Sequence, residues 1–286
     1  MLTGVYVANV TPFKEDAPYE VDVPAYLEHV SWLSDKGVDG IVPMGTNGEG
    51  ASVSLDEKLE VFEKLFTREF PIEIMPAVMQ GNLPDTLTAV EALNELPATA
   101  VLVLPPYYTK PVTAEGLKRF YEPVLEATRH PLVVYHIPKY AVAVPEEVVA
   151  GLPVWGVKDS GGKNGYAKAI LDTGKGVLIG TEDDLWESLN LGAQGVISAL
   201  ANFVPEKIVE VYEKAKSGDE ATGKPLSENL KEVRAMTKEY ASPGVLKKLA
   251  QARHGISMGT VRPPFVPVPE GYDPDPVLEL AEVAYG

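Results

Sequence analysis

The feature of this sequence that most constrains its fold is a regular alternation of short apolar runs with helix-like segments. Most of the runs are continuous stretches of Val, Ile and Leu, which is typical of strands buried on both faces of a parallel sheet. The candidate strands are Gly4–Val10, Val38–Met44, Ile72–Val78, Ala98–Leu104, Pro131–Ile137, Val154–Lys158, Gly176–Gly180 and Gly195–Leu200. The amphipathic segments between them include Val23–Lys36, Leu55–Glu69, Thr86–Leu96 and Ala114–Thr128. The alternation predicts an α/β protein built from βα units.

Eight strands at about 27 residues per unit match the count and length of a (β/α)8 TIM barrel. A doubly wound open sheet is the main alternative, but it usually has fewer strands, and no GxGxxG or GxxxxGK[ST] loop follows a strand here. We expect the barrel to occupy residues 1–216 and residues 217–286 to form a C-terminal helical extension of the same domain. The extra helices are predicted at Ser227–Tyr240, Val245–Ala252 and Pro276–Tyr285. Ser54 followed by Glu57 is a capping-box pattern that predicts a helix start.

Charge and cysteine content argue against several functional classes. The 286 residues include 41 acidic and 25 basic side chains, and this net charge of -16, without a basic cluster, opposes binding to nucleic acid. No apolar run approaches the ~20 residues that cross a bilayer, and residues 1–13 lack the pattern of a signal peptide. The absence of cysteine removes disulfides, thiolate nucleophiles and cysteine metal sites. We therefore expect a cytoplasmic protein without a membrane or nucleic-acid partner.

Two residues at strand ends are candidates for catalysis, because the active site of a (β/α)8 barrel lies at the carboxyl ends of its strands. Lys158 shares a strand face with Val154 and Gly156, and in an apolar barrel interior burial favours the uncharged amine that forms a Schiff base. Tyr135 ends the preceding strand, about 4.8 Å away, where a phenol can relay protons. On spacing alone, a solvent-exposed lysine and a tyrosine packed in the core are the alternatives.

Two loops after strands add polar groups at the same edge. Gly45-Thr-Asn-Gly-Glu-Gly50 offers side-chain donors at Thr46 and Asn47 and glycines that let backbone N–H groups approach a carboxylate. Tyr107 and Tyr108 lie between prolines in a stiff aromatic loop. The alternatives are a plain turn for the first loop and a packing or subunit-contact loop for the second.

Other chemistries have weak support in the sequence. The histidines lack metal-ligand spacing, and no GxSxG elbow indicates a serine hydrolase. The acidic groups at 182–184 and 273–275 are interpreted as solvated caps and turns. We expect no metal site and no cofactor.

Taken together, these segments resemble the pyruvate-dependent class I aldolase superfamily, in its dihydrodipicolinate synthase and N-acetylneuraminate lyase group. The resemblance runs from Thr11-Pro-Phe13 to Arg262-Pro-Pro264, nearly the whole chain, with the motifs in the right order at strand ends. It implies that Lys158 forms an imine with C2 of pyruvate or a larger 2-oxo acid. It also implies that Tyr135 is the general acid and base.

The resemblance assigns the remaining site residues as well. Thr46 and Asn47 would hold the substrate carboxylate, and Thr46 would be the middle member of a tyrosine–threonine–tyrosine proton relay. Tyr108 would be the far end of that relay, contributed by a neighbouring subunit, which implies a homodimer or homotetramer. Gly180 and Ile197 match positions that line the pyruvate pocket.

The motifs separate this chain from typical dihydrodipicolinate synthases. Where those enzymes have an arginine for the aldehyde substrate's carboxylate, this chain has Tyr140, with Lys139 beside it. The run Lys158-Asp-Ser-Gly-Gly162 is closer to 4-hydroxy-2-oxoglutarate aldolases, and the Arg-Pro-Pro tail is similar to that of 2-keto-3-deoxygluconate-type aldolases. Ser160 would then donate a hydrogen bond to the substrate.

We therefore expect a carbon–carbon lyase that cleaves or forms a 2-oxo-4-hydroxy acid from pyruvate and an aldehyde. The alternatives within the same chemistry are dihydrodipicolinate synthase, condensing pyruvate with aspartate semialdehyde, and a dehydratase of keto-deoxy sugar acids. The alternative of a different class is a barrel that binds a 2-oxo acid without turning it over.

Overall fold

The computed structural model describes residues 2–17, 19–162, 164–240 and 242–283, and it contains nine strands and eleven α-helices within these ranges. The strands are β1 (Gly4–Val7), β2 (Gly40–Ile41), β3 (Glu73–Ile74), β4 (Ala77–Val78), β5 (Val101–Val103), β6 (Leu132–His136), β7 (Gly156–Asp159), β8 (Gly176–Ile179) and β9 (Gly195–Ser198). The helices are α1 (Val23–Asp35), α2 (Leu55–Thr67), α3 (Leu83–Leu93), α4 (Ala114–Ala127), α5 (Glu146–Gly151), α6 (Asn164–Asp172), α7 (Leu185–Asn190), α8 (Pro205–Ser217), α9 (Glu220–Met236), α10 (Ser242–His254) and α11 (Asp275–Leu280).

All nine strands run parallel in one curled sheet, in the order β3-β2-β1-β9-β8-β7-β6-β5-β4. The strands at the two ends of this order, β3 and β4, are separated in the chain only by Met75 and Pro76. The N–H of Met75 donates to the carbonyl of Ile41 in β2, and the carbonyl of Pro76 accepts from the N–H of Leu102 in β5. The predicted strand Ile72–Val78 is thus present as two short strands, because proline has no N–H to donate to a ladder.

Side chains alternate across the sheet into two apolar clusters. The inner cluster includes Tyr6, Leu102, Tyr135, Leu178 and Ile197. The outer cluster lies between the sheet and the helices, and it includes Val7, Val134, Val157 and residues of the C-terminal helices such as Leu230, Val245 and Leu249. A sheet apolar on both faces and covered by helices is the arrangement that the continuous Val, Ile and Leu runs predict.

Some helix boundaries differ from the predicted ones. α2 starts as predicted, because the Ser54 hydroxyl accepts from the N–H of Glu57 and the Glu57 carboxylate accepts from the N–H of Ser54. α9 begins at Glu220, seven residues before the predicted start at Ser227, because the Asp219 side chain caps its first turn. The helix predicted at Pro276–Tyr285 spans Asp275–Leu280, and its last two predicted residues lie outside the described ranges. None of the helices in those ranges has both the length and the apolar composition that crossing a bilayer requires.

Candidate active site

The carboxyl ends of β6 and β7 bring a lysine and a tyrosine into contact. Tyr135 and Lys158 are partners in the register of these two neighbouring strands, and the Tyr135 side chain belongs to the inner cluster. Lys158 is 3% exposed and Tyr135 is 2% exposed. The Lys158 Nζ lies 4.4 Å from the centroid of the Tyr135 ring. The lysine is therefore buried inside the curled sheet rather than extended into solvent.

A threonine hydroxyl adjoins the tyrosine. Thr46 Oγ1 lies 3.1 Å from Tyr135 Oη, and either hydroxyl can donate the hydrogen bond. A proton can therefore pass between the two oxygens in either direction. The amine therefore lies against the face of the phenol ring, and the threonine hydroxyl lies beside the phenol oxygen.

The loop that carries Thr46 is a compact turn after β2. The N–H of Gly50 donates to the carbonyl of Gly45 at 3.0 Å, and the Thr11 hydroxyl donates to the carbonyl of Gly48 at 2.7 Å. A Cβ at Gly50 would lie 1.8 Å from the carbonyl oxygen of Met44, so a side chain there cannot be accommodated without moving the backbone. The glycines let the loop fold back on the strand end and hold Thr46 beside Tyr135.

The side chain of Asn47 is oriented by the C-terminal part of the chain. Its Oδ1 accepts a hydrogen bond from Ser242 Oγ, at the start of α10, at 3.1 Å. Because the oxygen is engaged, the amide NH2 group of Asn47 is the part that can donate to a ligand. A carboxylate is a suitable acceptor for that group and for the Thr46 hydroxyl.

The predicted pocket residues beyond Lys158 lie at the same edge of the sheet. The N–H of Gly180 donates to the carbonyl of Asp159 at 2.7 Å, and a Cβ at Gly180 would lie 2.0 Å from Ser160 Oγ. Ile197 is buried in the inner cluster on β9. Glycine at 180 is therefore what makes room for the Ser160 hydroxyl.

Two further residues singled out in the sequence, Tyr108 and Tyr140, are exposed in the single chain. Tyr108 is 90% exposed, and Tyr107 packs its hydroxyl against Gly81. Tyr140 is 53% exposed, with Lys139 Nζ 5.0 Å from its ring centroid. The side chains of Tyr108 and Tyr140 therefore extend into solvent, whereas Lys158 is buried.

On the opposite face of β6 and β7, two titratable groups are buried. Burial raises the pKa of Asp159 to about 6, against a hydrogen bond from the N–H of Gly161 that lowers it. Burial lowers the pKa of His136 to about 4, and its Nδ1 accepts from the N–H of Val144. The His136 ring stacks on Tyr166 at 3.8 Å between centroids. The histidine is therefore neutral at pH 7 and packs behind the site.

The interpretation of 182–184 as solvated was wrong for Glu182. This residue is buried, and its Oε1 accepts hydrogen bonds from Ser198 Oγ at 2.6 Å and from two backbone N–H groups that follow β9. Arg234 of α9 pairs with its other oxygen at 3.4 Å. The position of Glu182 two residues after a predicted strand end was the available signal, but its partners are distant in the chain.

A second buried charged group lies behind the 45–50 loop. Glu49 is 2% exposed and pairs with Lys247 of α10, which is 1% exposed, at 2.6 Å. Sequence reasoning missed this role of both residues. Within the described ranges, histidine and acidic side chains form no group of three or more that could hold a metal ion.

Comparisons with known proteins place this arrangement in context. The chain matches the model of the dihydrodipicolinate synthetase family over residues 1–280. It is 34% identical over 279 residues to the 4-hydroxy-tetrahydrodipicolinate synthase of Anaeromyxobacter sp. (strain K), covering 94% of this chain and 93% of that protein.

Solved structures show the same architecture. A chloride-inhibited dihydrodipicolinate synthase from Acinetobacter baumannii, complexed with pyruvate, superposes with a TM-score of 0.89 at 28% identity, covering 99% of this chain and 100% of that one. A variant of the Sulfolobus solfataricus 2-keto-3-deoxygluconate aldolase superposes with a TM-score of 0.90, covering 98% and 95%. At 22% identity, the second likeness shows a shared fold.

Proposed function

The chain belongs to the dihydrodipicolinate synthetase family, and from that premise we propose that it is a Schiff-base-forming carbon–carbon lyase with pyruvate as one half of its substrate. The family assignment confirms the resemblance drawn from the sequence motifs. The observation that carries the proposal is the buried Lys158 Nζ, 4.4 Å from the centroid of the Tyr135 ring, whose hydroxyl lies 3.1 Å from Thr46 Oγ1. A lysine amine is the nucleophile that forms a Schiff base with a carbonyl, and the hydroxyl pair supplies a path for protons.

In the proposed reaction, each of these groups has a separate role. Lys158 Nζ attacks C2 of the 2-oxo acid, and the carbinolamine loses water to give the imine. The Thr46 hydroxyl and the Asn47 amide hold the carboxylate. Tyr135 Oη takes the proton of the C4 hydroxyl while its own proton moves along the relay to Thr46 Oγ1. The C3–C4 bond breaks, and its electron pair moves into the protonated imine to give an enamine. The aldehyde leaves, C3 is protonated, and hydrolysis of the imine releases pyruvate.

We propose a 2-oxo-4-hydroxy acid as the substrate class, with Ser160 as a hydroxyl donor to the part beyond C3. The location of Ser160 supports this assignment: its Oγ donates a long hydrogen bond of 3.4 Å to the carbonyl of Gly180, at the strand ends that carry Lys158. A ligand at this place can take over that donor. Tyr140 has no fixed charge with which to pair an aldehyde's carboxylate, and Lys139 is the nearby cation. The alternatives of aspartate semialdehyde condensation and dehydration use the same imine.

We infer a (β/α)8 barrel in which residues 73–78 serve as one strand. The basis is that this stretch bonds to β2 on one side and to β5 on the other, so the strands total eight once β3 and β4 are joined. The extension at 217–286 belongs to the same domain in this proposal, because its apolar residues enter the outer cluster. No cofactor is needed, since the imine itself is the electron sink.

We also propose that Tyr108 completes the proton relay of a second subunit. Its side chain is 90% exposed and stands at the edge where Thr46 and Tyr135 lie, so it is available to another copy of the chain. The assembly is accordingly a homodimer or a homotetramer.

The experiment that tests the imine is borohydride trapping with pyruvate, followed by intact-mass and peptide mass spectrometry. We expect one pyruvate-derived adduct on Lys158, lost in Lys158→Ala. Lys58 is the internal control, because it is also buried and its pKa is lowered by burial to about 8, yet it has no tyrosine–threonine pair beside it. In Tyr135→Phe the adduct should persist while turnover falls by roughly 10²- to 10⁴-fold.

Two outcomes would overturn the proposed function or its site. An adduct on Lys58 instead of Lys158 would show that Lys58 is the lysine that forms the imine. Pyruvate binding without any adduct would favour the non-catalytic binding protein. If the adduct forms, pyruvate release from 2-oxo-4-hydroxy acids, compared with condensation of aspartate semialdehyde, separates the lyase from the synthase.

A further inference from the structure

A buried cluster of charges contacts the 45–50 loop. Lys247 Nζ lies 2.6 Å from Glu49 Oε1 and donates to the carbonyl of Thr260 at 2.6 Å. The other oxygen of Glu49 accepts the backbone N–H of Arg262 at 2.9 Å. Both partners come from the C-terminal extension, so this loop is fastened to a part of the chain about 200 residues away.

The Arg262 side chain binds the residues that follow the 45–50 loop, from Ser52 to Glu57. Its guanidinium makes two contacts with the Glu57 carboxylate, at 2.5 and 3.0 Å, and donates to the carbonyl of Ser52 at 3.0 Å. Glu57 is the capping-box residue of α2, which follows the loop. The extension therefore holds the segment at both ends, and Ser242 adds a third contact at Asn47.

The backbone of Glu49 explains why such fastening is needed. Its φ is 53°, in the left-handed region that L-residues with a side chain rarely adopt. Its N–H donates to the carbonyl of Thr46 at 3.2 Å, so this conformation closes the turn that carries Thr46 and Asn47. A residue stays in such a conformation only where the surrounding structure imposes it. The contacts of the Glu49 carboxylate are among the interactions that hold it here.

A pair this deeply buried contributes little net stability, because desolvation of two charges offsets most of their attraction. Its physical effect is to select one arrangement among those that the loop could adopt. The loop carries the groups that would hold the substrate carboxylate, and Thr46 in turn contacts Tyr135. The arrangement of the charge cluster is thus transmitted directly to the candidate site.

We propose that Glu49 and Lys247 are positioning residues, through which the C-terminal extension sets the affinity of the 45–50 loop for the carboxylate of a 2-oxo acid. The proposal rests on the proposed function of that loop. It predicts that loss of the pair raises the pyruvate concentration needed for half-saturation, whereas the amount of imine formed at saturation changes little.

The test uses the double variant Glu49→Gln with Lys247→Met in the full chain, because removal of both charges leaves neither one buried alone. The concentration of pyruvate that gives half-maximal borohydride trapping on Lys158 should rise at least about tenfold, as a small displacement of positioning groups has effects of this order or greater. The trapped fraction at saturation should stay close to that of the wild type.

The matched control is Arg253→Met with Glu206→Gln. This pair also joins α10 to the rest of the molecule, at 2.5 Å, but it contacts α8 and not the loop. We expect lower thermal stability in this control and an unchanged half-saturating concentration of pyruvate.

The outcomes separate this proposal from the proposed function. A folded Glu49→Gln, Lys247→Met variant with the wild-type half-saturating concentration overturns the positioning role, as does an equal rise in the control. If the wild type forms no adduct, the imine mechanism fails, and calorimetric titration with pyruvate then decides the positioning role by the same comparison. Absence of pyruvate binding by the wild type overturns both.

Discussion

Asp159 and Lys158 are sequence neighbours with opposite environments, because successive side chains of a strand point to opposite faces. Lys158 faces the interior of the sheet beside Tyr135, whereas the Asp159 carboxyl is buried behind it and accepts a hydrogen bond from the N–H of Gly161. The carboxyl is therefore held in a place where ionisation is disfavoured, and its pKa is raised by burial to about 6.

This environment predicts how stability depends on pH. In the unfolded chain an aspartate titrates near pH 3.9, so between about pH 4 and pH 6 the folded state retains a proton that the unfolded state has released. The contribution of Asp159 to the free energy of unfolding is therefore fully present below about pH 4 and falls as pH rises through the folded pKa. In Asp159→Asn, the free energy of unfolding should gain roughly 1–3 kcal/mol relative to the wild type between about pH 4 and pH 7.

Urea unfolding of both proteins across this pH range measures the change. Asp172→Asn is the control, because Asp172 lies on the exposed end of α6, paired with Lys168 in solvent. A difference between Asp159→Asn and the wild type that is constant with pH would contradict the assignment.

At the scale of an element, the glycines of the 45–50 loop determine the backbone conformation that places Thr46 and Asn47 at the candidate site. Two residues other than glycine, Met44 and Glu49, have positive φ around this turn. The backbone of Gly50 packs so closely on the carbonyl of Met44 that no Cβ fits. The loop is therefore a strained, closely packed element held by its neighbours.

Gly50→Ala should displace the loop. The half-saturating concentration of pyruvate in the trapping experiment should rise about 10- to 100-fold, and the melting temperature should fall. Gly165→Ala in α6 is the matched control, because an added Cβ there meets no atom within 4 Å. It should leave pyruvate saturation unchanged and add ~0.5–1 kcal/mol to the free energy of unfolding. If Gly50→Ala has the same half-saturating concentration of pyruvate as the wild type, the loop does not bind the substrate.

At the scale of the whole molecule, the C-terminal extension and the sheet share one apolar cluster. Leu230 of α9 and Val245 and Leu249 of α10 are fully buried in the same outer cluster as residues of the strands. Removal of the extension would expose that apolar surface to water and would remove Lys247, the partner of Glu49.

A chain that ends at Lys216 should therefore fail to fold, and the full chain should unfold in a single cooperative transition. Differential scanning calorimetry of the full chain and far-UV circular dichroism of the shortened one measure the two outcomes. A shortened chain that melts cooperatively would establish the barrel and the extension as independent units, against the single-domain proposal.

The strands and the facing of the central pair could be read from the sequence alone. Continuous apolar runs are typical of strands buried on both faces. The alternation of side chains along a strand places Lys158 and Val157 on opposite faces of the sheet. The capping box at Ser54 and Glu57 was predicted correctly for the same reason, since all of its contacts lie within three residues. The interruption at Pro76 could also have been read, because proline cannot donate to a ladder.

The sequence by itself determined the alternation of strands and helices, the family and the candidate residues at strand ends, because each depends on side chains close together in the chain. Only the tertiary structure decided which charged residues are buried. Glutamate and lysine are usually found on the surface, but Glu49, Lys247 and Glu182 are buried here. A charged side chain is buried only where a partner of opposite charge or a hydrogen-bonding group meets it. Those partners are far apart in the sequence, so folding alone brings them together.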